Sequence, residues 1–172
     1  LEGKLTSAST EIAAVSALPV ITPAGTQLGS HTALFQQVAD QAAVYPDGDG
    51  YATMTVTARG VAIAGKLADG SAVSAALKLT SNTTAPLFLP LYKGKGLLTG
   101  SIKFDAAQAE SDAACIGMRW IRASGLTTPA GYGAGWPSGI TVDFVASKYD
   151  KTKGFGLTNT SGRGLRRKKE DW

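Results

Sequence analysis

The chain has 172 residues, of which 21 are glycine and 17% are charged, against roughly 25% charged in an ordinary soluble domain; this length suits one core and is short for two. The formal charge of +4 is concentrated in residues 163–172, which contribute +3 and leave +1 for everything before them, so a folded basic surface for nucleic acid is not expected. A single cysteine, Cys115, and a single histidine, His31, exclude an intrachain disulfide, a cysteine-based metal site and a multi-histidine metal site.

The first residues, Leu1-Glu2-Gly3-Lys4, lack an initiating Met and a signal-peptide pattern and read as the start of a mature form or an excised fragment. Residues 1–28 read as an extended lead-in with room for one strand, because Pro19 and Pro23 interrupt a run rich in Ala, Ser, Thr and Val; a helix over Ser9 to Leu18 is the short alternative. His31 to Phe35 is the first periodic segment and predicts a strand, followed by a loop that ends in Asp47-Gly48-Asp49-Gly50.

From Tyr51 to Ala58 the chain alternates Ala52, Met54 and Val56 with Thr53, Thr55 and Thr57, the two-residue period of a half-buried strand. After a turn at Arg59-Gly60, Val61, Ile63, Gly65 and Leu67 share a face; Ala68-Asp69-Gly70 turns the chain, and Val73, Ala75, Leu77 and Leu79 continue it. Three such segments joined by Gly-bearing turns make a meander. In Pro86 to Tyr92, Pro86 and Pro90 cannot donate to a ladder and mark an edge or bent strand.

Leu98, Gly100, Ile102 and Phe104 form the next face, Ala114, Ile116, Met118 and Trp120 the one after, and Ile140, Val142, Phe144 and Ala146 the last. The prediction is an all-β domain over residues 29–150, an antiparallel up-and-down barrel of about seven or eight strands, with a β-sandwich as the alternative. Residues 151–172 read as a Gly-rich and basic tail. Met54, Val56, Ile63, Leu77, Ile102, Phe104, Met118, Trp120, Val142 and Phe144 should line one interior, because parity within each strand decides which face is inside. No run approaches the roughly 18–20 apolar residues of a spanning helix, so no membrane span is expected.

The segments Gly48 to Val56, Gly65 to Gly70 and Pro86 to Gly96 resemble a β-rich module found near the ends of large secreted or surface proteins of verrucomicrobial and similar environmental bacteria. The resemblance covers about residues 29–150 and implies an extracellular or cell-surface location with other domains of a larger surface protein as partners. That family has no assigned catalytic or ligand residues, so no site follows from it.

The residues themselves offer few motifs with chemistry. Gly60 to Lys66 matches seven positions of a phosphate-binding loop, but the eighth is Leu67 and the segment alternates as a strand, so it reads as a strand. Asp47-Gly48-Asp49-Gly50 reads as a turn, since a calcium loop from Asp47 would meet Ala58 where it needs a bidentate Glu. His31, the base that a serine triad would have to use, reads as structural, Cys115 as a small core residue, and Asp143 as an exposed strand residue.

Tyr132 and Trp136, on the Gly-rich loop 129–137, are the candidate ligand-binding pair, because aromatic rings on a loop stack on sugars or anchor a partner. Against this stands a loop folded back so that Trp136 plugs a barrel end. The expected function is a non-catalytic structural or interaction module without cofactor or metal. A carbohydrate- or small-ligand-binding module using loop 129–137, with a glycan as partner, is the alternative, and a hydrolase the third reading.

Overall fold

The computed structural model describes residues 2–7, 10–16, 18–23, 25–38, 45–80, 83–105 and 112–149; the basic tail expected over 151–172 lies outside the described residues. The strands in chain order are β1 (Glu2–Ser7), β2 (Thr10–Ser16), β3 (Val20–Ile21), β4 (Gly29–Gln37), β5 (Gly50–Thr57), β6 (Gly60–Lys66), β7 (Ala72–Leu77), β8 (Leu79–Thr80), β9 (Thr84–Leu91), β10 (Gly96–Phe104), β11 (Ala113–Arg122) and β12 (Trp136–Lys148).

Eight of them form one antiparallel sheet in the order β7-β6-β5-β4-β12-β11-β10-β9. The sheet curls until β7 and β9 lie side by side, giving a nearly closed up-and-down barrel instead of a sandwich. The first and last barrel strands are joined by a full ladder, from Gln37 opposite Val142 to His31 opposite Lys148. The seam therefore falls between β7 and β9, in the middle of the sequence. Proline explains why it stays unzipped: Pro86 and Pro90 sit in the β9 ladder opposite Ser101 and Leu97 of β10, and a strand proline is tolerated where its nitrogen faces away from the paired neighbour. Both nitrogens thus face the seam and offer β7 no hydrogen.

An eight-stranded barrel is just wide enough for side chains to fill it, and here they do. Met54, Val56, Ile63, Ile102, Phe104, Met118, Trp120, Val142 and Phe144 are buried together, with Leu77 half-buried against them. Thr53, Thr55 and Thr57 are exposed on the outer face. Among the described residues no helix is long and apolar enough to cross a membrane.

Two expectations are corrected. The lead-in holds three strands: β1 and β2 pair as a hairpin, with no helix over Thr10–Ser16, and β3 pairs with β8. In β11, Ala113 and Cys115 point inward and Ile116 is 75% exposed, so Ala114 and Ile116 do not share the inner face of Met118 and Trp120. The register between β11 and β12 shifts between Cys115 and Met118, and Gly117 has φ +73. This β-bulge adds one residue and reverses the parity of the strand.

The bulge is held by a side chain of the neighbouring strand. Gly117 N donates to Asp143 Oδ1 at 2.7 Å, so Asp143, expected as a merely exposed residue, secures the parity change. Cys115 is buried and its Sγ accepts from Ser101 N at 3.3 Å. Burial, with a smaller contribution from the Asp143 charge, raises its pKa, which keeps a protonated, weakly nucleophilic thiol.

Candidate functional site

Residues 45–49 and the loops 67–71, 92–95 and 123–135 lie at one end of the barrel, and aromatic residues gather there. Trp136 opens β12 opposite Arg122 at the end of β11. Gly135, at φ +61, lets the chain pass so close that a Cβ would meet Ala123 O at 2.5 Å and Arg122 O at 2.7 Å. That approach carries Trp136 inward: it is 1% exposed and meets Trp120 edge to face with centroids 4.8 Å apart, Tyr132 at 5.9 Å and Tyr45 at 6.1 Å. Loop 129–137 folds back with Trp136 over the barrel end, and Tyr132 stays half-buried beside it. The two predicted site residues are in contact, but Trp136 presents no open ring face.

The sequence reading missed the residue at the centre of this cluster. Arg122 is 0% exposed, with its Cζ 5.2 Å from the Tyr92 ring centroid, 5.5 Å from that of Trp136 and 5.9 Å from that of Tyr132. Its Nη2 donates to the carbonyls of Leu126 and Pro129, each at 3.0 Å, and so gathers the loop over itself. Burying a charge costs several kcal/mol, and each ring offsets about 0.5–2 kcal/mol of this by cation–π attraction. Arg122 follows Trp120 by two residues, the inward spacing of a strand, and that parity was the available signal.

Beside it lies a polar chain. Trp120 Nε1 donates to Tyr92 Oη at 2.9 Å and Tyr92 Oη donates to Asp69 Oδ2 at 2.6 Å. Asp69 also accepts from Ser71 N at 2.8 Å and Ser71 Oγ at 3.0 Å. Burial first, and then the Asp69 carboxylate, raise the Tyr92 pKa above its ordinary 10.0.

The other sequence candidates lie apart. His31 is buried near the opposite end, edge-on to Phe104 with centroids 6.4 Å apart. Asp49 is exposed and its Oδ1 accepts from Gln37 N at 3.2 Å, tying the end of β4 to the start of β5. Gly60 to Lys66 forms β6, whose residues pair with β5 and β7 instead of framing a phosphate. Between Leu67, Ala68, Trp120, Ile140 and Val142 a cavity of about 10 Å³ remains, about the size that admits a single water. No protein-family model matches the chain, and neither the curated proteins nor the solved structures contain a match to it.

Proposed function

We propose that this domain is a rigid, non-catalytic structural and interaction module of a secreted or surface protein, acting through its exterior. The observation that carries the reading is the filled interior: Trp120, Phe35, Phe104, Phe144, Met54 and Met118 are all essentially buried within the barrel, which therefore does not serve as a ligand container of the kind that wider or emptier barrels provide. A full core joined by a ladder between its first and last strands resists deformation, which suits a spacer or a platform between neighbouring domains.

The exterior supports the same reading. Exposed threonines cover β5, and Tyr51 and Phe88 stand out as exposed rings, Phe88 at 69%, of the kind that anchors protein contacts. The location rests on the resemblance of residues 29–150 to modules of secreted and surface proteins. The carbohydrate alternative is weakened, because the burial of Trp136 leaves Tyr132 as its remaining ring.

Labelling intact and lysed source cells with a membrane-impermeant amine reagent tests the reading. The protein should be labelled equally in both, or recovered from the medium. Labelling confined to lysed cells overturns the location, and turnover of any ester, glycoside or peptide substrate that survives repeated purification overturns the non-catalytic role.

A further inference from the structure

A guanidinium keeps its charge at any pH at which a protein is folded, so the buried Arg122 carries a full positive charge at the barrel end. Both hydrogens of Nη2 are used by the Leu126 and Pro129 carbonyls. Among the described residues, Nε and Nη1 have no acceptor, and neither has Trp136 Nε1 in the same cluster. Asp69, the carboxylate tied to this cluster through Tyr92, is committed to Tyr92 and Ser71. Among the described residues, then, this buried guanidinium forms no ion pair, and three buried N–H donors, two of its own and one of Trp136, lack an acceptor, whereas buried polar groups are ordinarily paired.

We propose that this end of the barrel is a closed binding site for a carboxylate, whose oxygens accept from Arg122 Nε and Nη1 together with Trp136 Nε1. The donor geometry selects the ligand class: Nε and Nη1 form the side of a planar guanidinium whose two parallel N–H groups match the two oxygens of a carboxylate.

Access requires loop 123–135 to lift. Gly125, Gly131 and Gly135 hold positive φ in it, and its hold on the barrel includes the two Nη2 bonds of Arg122. An arriving carboxylate competes for the guanidinium with these carbonyls, so binding and loop opening are linked. This proposal does not depend on where the protein resides or on its partners. The carboxylate belongs either to a free short-chain acid or to the C-terminus of a polypeptide, and the two are distinguishable.

The test is thermal unfolding and tryptophan fluorescence of the whole protein at constant ionic strength, with chloride replaced stepwise by acetate or propionate, and separately with an N-acetylated tripeptide acid against its amide. Carboxylate should raise the unfolding temperature and change the fluorescence saturably. Acetate or propionate binding more tightly than the tripeptide acid identifies a small acid, and tripeptide acid binding more tightly than acetate and than its amide identifies a terminus. Trp136→Phe, which keeps a ring but removes the donor, should weaken binding by about 10-fold, the loss of one hydrogen bond to a charged acceptor. Arg122→Met should abolish it. A wild-type protein whose unfolding temperature and fluorescence stay unchanged with every carboxylate overturns the proposal, whether or not Arg122→Met folds, and so does a Trp136→Phe protein that binds as well as the wild type.

Discussion

Tyr92, just after β9, donates its hydroxyl to Asp69, in the turn before β7, at 2.6 Å, and this bond crosses the seam at which the barrel ladder is interrupted. Where prolines prevent backbone closure, a side-chain pair latches the two edges together, and the hydroxyl is shared with Trp120 in the core. Removing it by Tyr92→Phe leaves the buried Asp69 short of a donor and Trp120 Nε1 without an acceptor. The expected cost is about 1–3 kcal/mol, measurable as a lower urea midpoint; an unchanged midpoint would show that the latch contributes nothing.

The same hydroxyl sets an alkaline limit. Its folded pKa lies above the ordinary 10.0, so the folded state holds the proton more tightly than the unfolded state does. The stabilisation is complete below about pH 10 and declines as the pH rises beyond it toward the raised folded value. Denaturant titrations should show wild-type stability falling above pH 10 more steeply than that of Tyr92→Phe. Parallel curves would contradict the assignment of this titration to Tyr92.

Restoring amide hydrogens along the seam should unmask an edge. Replacing Pro86 and Pro90 together by Thr supplies two donors on the side of β9 that faces away from β10, which is the feature that recruits another strand. Light scattering should detect self-association in the double variant at concentrations at which the wild type is monodisperse. Equal behaviour would mean that the approach of β7 already shields the edge.

At the β11 bulge, Gly117→Ala meets no clash, since its Cβ would make an ordinary contact with Thr141 Cγ2 at 4.0 Å, but it must adopt φ +73. The expected loss is about 1–2 kcal/mol from the left-handed backbone alone. Asp143→Ala, which deprives Gly117 N–H of its acceptor, should cost about 1 kcal/mol. Because the two residues form one bond, the double variant should lose less than the sum in a mutant cycle; full additivity in chemical denaturation would argue that the clamp is not coupled to the bulge.

Core and surface should separate cleanly. Phe144→Ala or Ile102→Ala, each at a wholly buried position, should cost about 2–5 kcal/mol through lost burial and the cavity left behind, whereas Thr55→Ser on the exposed face should stay within about 0.5 kcal/mol. Calorimetric unfolding measures all three, and a Thr55→Ser loss as large as that of Phe144→Ala would reverse the assignment of inside and outside.

Strand identity and facing were legible wherever a two-residue period ran uninterrupted. Met54 and Val56 against Thr53 and Thr55, or Val142 and Phe144 in β12, declare their side of the sheet because alternation is a local property of extended backbone. It failed at Ile116, where one inserted residue reverses parity: Gly117 permits the positive φ, but the clamp that makes the bulge comes from Asp143, 26 residues away. The tertiary structure alone decided what surrounds Arg122 and where the barrel stays open. Loop 123–135 must fold back to bring Trp136 and Tyr132 onto the guanidinium, and β4 must find β12 to move the seam between β7 and β9. Both depend on pairings between distant parts of the chain, for which local alternation specifies which face turns inward but not which strand becomes the neighbour.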